Sequence, residues 1–202
     1  MTCVLIDFEE NEMAQAKTLT DKELRKILSY IATHKHAARN RAMLLTGTYS
    51  GMRCKEIASL TLGDIWSPET GVRSEVRLDV EQTKGRYART VFLPEKLRKE
   101  LIAYIAGIDR NDATKALFYT QKNEKRGFTP NTLAQYFHYL HKKAGIEGGS
   151  SHSMRRTFIT NLAAKGIGVR VLQNLAGHRS IAVTQKYIDC NDDMLRKAVE
   201  LV

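Results

Sequence analysis

The sequence predicts a mostly α domain (α+β) with a small antiparallel β-sheet near its middle. Three observations predict it. Apolar residues recur at helical spacing through most of the 202 residues, as in TLTDKELRKILSYIATH. One region alternates instead, VRSEVRLDVEQ and then ARTVFLP, with the turn-like TKGRY between them. The three prolines, Pro68, Pro94 and Pro130, fall where a turn or a helix start is expected.

Taken in order, Thr20 is the N-cap of a first helix, with Glu23 three residues on to complete a capping box. Leu24, Ile27, Leu28 and Ile31 give that helix its apolar stripe. A second helix covers 37–49 and stops near Gly51. A short third helix starts near Arg53 and carries Ile57 and Leu60 inward. In the hairpin, Val76, Leu78 and Val80 share one face. Pro94 ends it and opens an amphipathic helix with Leu97, Leu101, Ile102 and Ile105. Thr129 caps the next helix, with Pro130 at its first position and Gly145 at its end. After IEGGSS, helices follow at 152–165, 168–176, 180–188 and 192–200.

A hydrophobic content of 43% against 27% charged residues is that of a folded globular chain, not a disordered one. The balance is basic, 32 Lys+Arg against 22 Asp+Glu, or +10. Such an excess points to a polyanionic partner, most often nucleic acid. Cys3, Cys54 and Cys190 lie far apart and match neither a zinc nor a disulfide spacing, which fits a reducing, cytoplasmic compartment. MTCVLIDFEE lacks the basic start of a signal peptide. No apolar stretch is long enough to span a bilayer, so no membrane partner is expected.

Polar residues cluster at four places. GMRCKEIASL sets Arg53 at a helix start with Glu56 three residues on; alone, this is an ordinary surface pair. TKGRYART sets Lys84 and Arg86 at a hairpin tip; alone, these are solvated turn residues. SHSMRRTFIT opens a helix that Ser150 or Ser151 can cap, leaving His152 and the first-turn amides at the positive end of the dipole. Arg155 follows one turn on, and cations there are unfavourable by about 0.3–1 kcal/mol each. A bound phosphate reverses that, so here a ligand explains more than a solvated surface does. LAGHRSIAVTQKYID sets His178 in a turn after Gly177 and Tyr187 nine residues later. A tyrosine on an amphipathic helix normally packs, and periodicity alone does not make it a nucleophile.

The order and spacing of all these residues change the reading. Arg53, Lys84, His152-x-x-Arg155, His178 and Tyr187 resemble the signature of the tyrosine recombinase (phage integrase) family. The local text is similar too: GMRCKE, the lysine in a hairpin turn, the H-x-x-R helix start, LAGHRSI and TQKY. The resemblance runs from about Thr18 to the C-terminus. Each motif is weak alone, and five in register are specific.

The resemblance implies an integrase-type catalytic domain over 18–202 behind an N-terminal extension, 1–17. It implies a site-specific recombinase that breaks and rejoins DNA through a covalent 3′-phosphotyrosyl intermediate, in integration, excision or inversion. Tyr187 would be the nucleophile. Arg53 and Arg155 would hold the non-bridging phosphate oxygens as bidentate forks, and His178 would add a hydrogen bond. Lys84 would protonate the leaving 5′-oxygen, and His152 would accept or relay the tyrosine proton. Glu56 becomes an orienting partner, and Arg86, Arg156 and Arg179 are candidate DNA contacts. No cofactor and no metal are implied. The implied partner is double-stranded DNA with inverted-repeat recombination sites. A homotetramer would form on it, from a monomer or weak oligomer when free, with accessory DNA-bending proteins possible. The implied setting is a prokaryotic cytoplasm, associated with the nucleoid, and a phage or other mobile element.

Some positions depart from the family pattern. Arg156 stands where many relatives carry a second histidine, Ser151 replaces a frequent proline and Met154 a frequent leucine. LAGH replaces the commoner LLGH or LGH. The H-x-x-R spacing favours Arg155 over Arg156 at the phosphate. Typical members carry an N-terminal helical domain that clamps the other face of DNA. With residues 1–17 alone preceding the matching segment, the chain is similar to the short fimbrial phase-variation recombinases or to an isolated catalytic domain. The 192–200 helix could dock on its own domain or on a neighbouring protomer. Two other readings stay open at this point: a non-catalytic DNA-binding regulator on the same fold, and a nuclease or RNA-acting phosphodiesterase.

Overall fold

A computed structural model describes residues 16–83, 87–120, 123–188, 195–196 and 199–200 of the chain. Helix α1, Asp21–Ala32, starts at Thr20, whose hydroxyl accepts from the Glu23 amide while Glu23 accepts from the Thr20 amide. Ile27 and Ile31 are its buried stripe. Helix α2, Ala37–Ser50, is buried along most of its length. It packs against α1, against α5 (Glu95–Ile105) and against α7 (Ser153–Ala164). That makes it the central rod of the core. It ends at Gly51, in the left-handed region at φ 66°.

Helix α3, Cys54–Ser59, buries Ile57 and packs on α6, Pro130–Lys143, which starts from the Thr129 cap. A short α4, Leu62–Ile65, follows behind a second capping box, Thr61 with Asp64. The β structure is three two-stranded antiparallel pairs among the described residues. They are β1 (Trp66–Ser67) with β2 (Gly71–Val72), β3 (Glu75–Leu78) with β4 (Arg89–Phe92), and β5 (Tyr119–Thr120) with β6 (Asn123–Gly127). The β3–β4 register sets Val76 against Val91 and Leu78 against Arg89. The expected single sheet is thus one hairpin of three. The other two are too short to show a period of two in sequence.

Two residues of these apolar patterns are exposed in the fold. Val80 is exposed because β3 ends at Leu78 and the chain turns at Asp79. Ile102 is exposed because the buried stripe of α5 is Leu97, Leu101, Tyr104 and Ile105. The last described helices are α8, Val169–Ala176, and α9, Ile181–Gln185, packed on each other with α8 also against α7. The helix expected at 192–200 falls mostly outside the described residues. Among the described residues no helix is long and apolar enough to cross a membrane.

Candidate active site

Helix C-termini leave their last carbonyls without partners inside the helix, and they carry partial negative charge. The end of α8 uses this three times over. The Leu175 carbonyl accepts from Arg89 Nη1 at 2.9 Å. The Ala176 carbonyl accepts from Arg155 Nη2 at 2.5 Å. The Gly177 carbonyl accepts from Arg53 Nη2 at 3.2 Å. Arg155 reaches the end of α2 as well, donating from Nη1 to the Gly51 carbonyl at 2.7 Å. Three guanidinium groups from β4, α7 and the start of α3 meet on carbonyls that no side chain supplies.

Glu56 joins them from below. It is fully buried. Its Oε2 accepts from the Arg53 amide at 2.7 Å and from Arg89 Nη2 at 2.8 Å. Its Oε1 accepts from Arg89 Nε at 3.1 Å and Arg53 Nη1 at 3.3 Å. Burial pushes its carboxyl up, but the Arg89 hydrogen bonds and charge, with those of Arg53, outweigh that and hold it below the usual value. Arg155 is 4% exposed, and burial with the repulsion of Arg53 brings its guanidinium down to about 9. It therefore stays charged at neutral pH. Three cations face one carboxylate, so the cluster keeps an excess of positive charge for an anion.

Above them opens a cleft of about 710 Å³ lined by Arg53, Glu56, Tyr87, Arg89, His178 and Arg179 among others. Gly177, at φ 63°, turns the chain out of α8 and sets His178 on the cleft wall. Gln173 Nε2 holds that turn by donating to the His178 and Arg179 carbonyls. His178 Nδ1 lies 2.9 Å from Thr184 Oγ1. Burial, then the charges of Arg155, Arg53 and Arg89, lower the imidazole to about 4, so it is neutral at neutral pH.

The Tyr187 ring stacks on His178, with centroids 5.7 Å apart and planes 18° apart. The Arg156 guanidinium carbon lies over the same ring, 5.4 Å from its centroid, while Arg156 Nε donates to Thr18 Oγ1 at 3.1 Å. The neighbours Arg155 and Arg156 therefore part: one goes down to the carbonyl seats, the other across to the tyrosine. Arg179 lies over the Tyr87 ring at the cleft edge.

Of the residues singled out in sequence, the structure brings together Arg53, Glu56, Arg155, His178 and Tyr187. His152 stands exposed at the N-cap of α7 and is not part of the cleft lining. Lys84 and Arg86 lie outside the described residues, although Thr83 and Tyr87 on either side line the cleft. Helix α7 begins at Ser153, one residue later than expected, with His152 at its N-cap and no side-chain cap there. In the turn before it, Ser150 Oγ accepts from the His152 amide and Ser153 Oγ from the Ser150 amide. Within the chain, Arg155 is held by the carbonyls that end α2 and α8.

Sequence reading missed Arg89, Gln173 and Thr184. For Arg89 the signal appears only in the fold: Glu56 is buried beside a partly exposed Arg53 and needs a second cation, which Arg89 supplies from the start of the hairpin's second strand. Thr184 opens the TQKY motif, but only the fold shows its partner, a ring six residues back; for Gln173, which holds a turn's backbone, no motif gave a signal. Among the described residues no group of His, Cys, Asp and Glu is placed to hold a metal ion.

Comparison with known proteins bears on this cluster. The Phage integrase family profile matches residues 17–194. Tyrosine recombinase XerA of Pyrococcus furiosus is 32% identical over 185 residues, which are 91% of this chain and 61% of that protein. The chain thus spans about three fifths of the length of the curated relatives it matches. A crystal structure of XerA recombinase superposes with a TM-score of 0.71 at 26% identity, over 91% of this chain and 64% of that one. A pre-cleavage complex of XerH site-specific recombinase with its difH substrate gives 0.64 at 25% identity, over 91% and 53%. With a family match over nearly its whole length, the chain belongs to the phage integrase family.

Proposed function

We propose that the cleft binds one phosphodiester of double-stranded DNA and that Tyr187 attacks it, making this chain the strand-transfer domain of a site-specific recombinase. The observation that carries the reading is the gathering of Arg53, Arg89 and Arg155 on one carbonyl rim with the Tyr187 ring against the His178 wall. The XerH relative, caught with its substrate, supports the same use of the fold.

In this reading the Tyr187 oxygen forms a bond to phosphorus and the 5′-oxygen leaves. The phenol proton passes to His152, and Lys84 protonates the leaving oxygen. The 3′-phosphotyrosyl link keeps the phosphodiester's energy, so a 5′-hydroxyl of the same or another strand can reverse the step without ATP. Arg53 and Arg155 neutralise the charge that grows on the non-bridging oxygens, and His178 donates to it. Glu56 orients Arg53 and Arg89. Arg86, Arg156 and Arg179 remain candidate DNA contacts. The segment 18–202 works as one catalytic domain, four copies assemble on inverted-repeat sites, and the 192–200 helix docks within or between them.

The test is a covalent trap. Nicked suicide duplexes cut from the genomic DNA around the gene's own locus are incubated with the protein, and denaturing gels are read for a protein–DNA adduct. The adduct should form with the natural chain and vanish in Tyr187→Phe. An adduct that persists in Tyr187→Phe would sink this assignment.

A further inference from the structure

We infer that Thr184 is a positioning residue: its buried hydroxyl donates to His178 Nδ1, holding the neutral imidazole as the Nε2–H tautomer and leaving that N–H to the cleft. The inference rests on the reading of His178 as a hydrogen-bond donor to phosphate.

Several observations carry it. Thr184 is fully buried. The other buried threonines on helices turn their hydroxyls back to the carbonyl four residues earlier: Thr46 to Ala42, Thr48 to Leu44, Thr157 to Ser153. Thr184 departs from this habit, and its Oγ1 lies 2.9 Å from His178 Nδ1. Among the described residues, His178 Nδ1 is the hydrogen-bond partner of that hydroxyl. The Thr184 carbonyl meanwhile accepts from the Tyr187 amide at 3.0 Å. One residue of α9 thus fixes the imidazole through its side chain and the tyrosine through its backbone.

The tautomer matters because a neutral imidazole has one N–H and one bare lone pair. With the proton on Nδ1, Nε2 would turn a lone pair toward an anionic oxygen. The doubly protonated form would avoid this, but it is disfavoured at rest. His178 is faced by Arg155 from α7, Arg53 from the start of α3 and Arg89 from β4, with the Tyr187 ring stacked on it. A hydroxyl donor on Nδ1 is the remaining way to put the proton where the ligand comes.

The test uses the whole chain, with ¹⁵N spectra of the His178 ring and suicide-duplex cleavage measured in parallel. The natural protein should show a bare Nδ1 and a protonated Nε2. Thr184→Val keeps the shape and removes the hydroxyl, and should give mixed tautomers. Cleavage at pH 8 should then fall in proportion to the Nε2–H fraction lost, about two- to fivefold for a mixed population. The deficit should narrow as pH is lowered through the ring's titration, where both nitrogens are protonated. Thr184→Ser, which keeps the hydroxyl, should restore both readouts. A merely structural role would give a deficit that does not depend on pH. A proton on Nδ1 in the natural protein, or unchanged tautomers in Thr184→Val, would overturn the inference. Tautomers that respond as stated, with no adduct from the natural chain, would uphold the tautomer assignment and defeat the strand-transfer reading instead.

Discussion

Arg155 makes two short bonds to carbonyls that end different helices, and its planar fork is what spans them. Lysine has the charge without the fork. Arg155→Lys is expected to fold and to lose about 10²–10³ in cleavage rate, read by the covalent trap. Glu56 is a different case, a buried carboxylate under two arginines. Glu56→Gln leaves those cations without their counter-charge and should cost about 3 kcal/mol of stability, measured by urea unfolding. The two titrations also act on stability with pH. His178 is depressed from 6.5 to about 4, so the unfolded chain takes the proton first. Stability is full with respect to this group above 6.5 and falls as pH drops toward 4. Glu56, also depressed, adds its own loss below the ordinary carboxylate value. His178→Gln should therefore flatten the Tm profile between pH 6.5 and 4 while leaving the steeper acid limb in place.

The elements show how far local sequence rules reach. Thr20, Thr129 and the Gly51 stop were legible because caps and glycine turns act within a few residues. The short α4 was equally legible, since Thr61 and Asp64 form a capping box that the reading passed over. The carbonyl seats were not legible in the same way. A carbonyl carries no sequence signature, so the partners of Arg53, Arg89 and Arg155 at the end of α8 appear only when the chain is folded. Gly177 is the element-scale test. Its φ is 63°, and a Cβ there would sit 2.8 Å from Arg89 Cδ. Gly177→Ala should cost about 1–2 kcal/mol for the left-handed backbone, with a further loss of cleavage as Arg89 and Arg53 are displaced. Thermal unfolding and the covalent trap report the two effects separately.

For the whole molecule, the net charge of +10 predicted a polyanionic partner before any residue was placed. If six or more phosphates are contacted, affinity for duplex DNA should fall by about 10³ or more between 50 and 200 mM salt. Fluorescence anisotropy across that range checks it, and a flat response would exclude broad backbone contact. The catalytic-type residues were legible as a pattern of spacing, yet their chemistry depends on distances that spacing does not fix. Arg53 and Gly177 are separated by 124 positions in sequence and joined by one hydrogen bond.

The seating of three arginines on consecutive carbonyls, the last two of α8 and that of Gly177 after them, has a consequence for how this chain can vary. Main-chain oxygens are present whatever the side chains are, so substitutions along α8 leave the seats in place. Length is another matter. One residue added or removed inside α8 turns every later carbonyl by about 100° around the helix axis. All three guanidinium groups would lose their acceptors together. The charge cluster thus tolerates substitution within α8, though not at the Gly177 turn, and is intolerant of a frame change in this eight-residue helix.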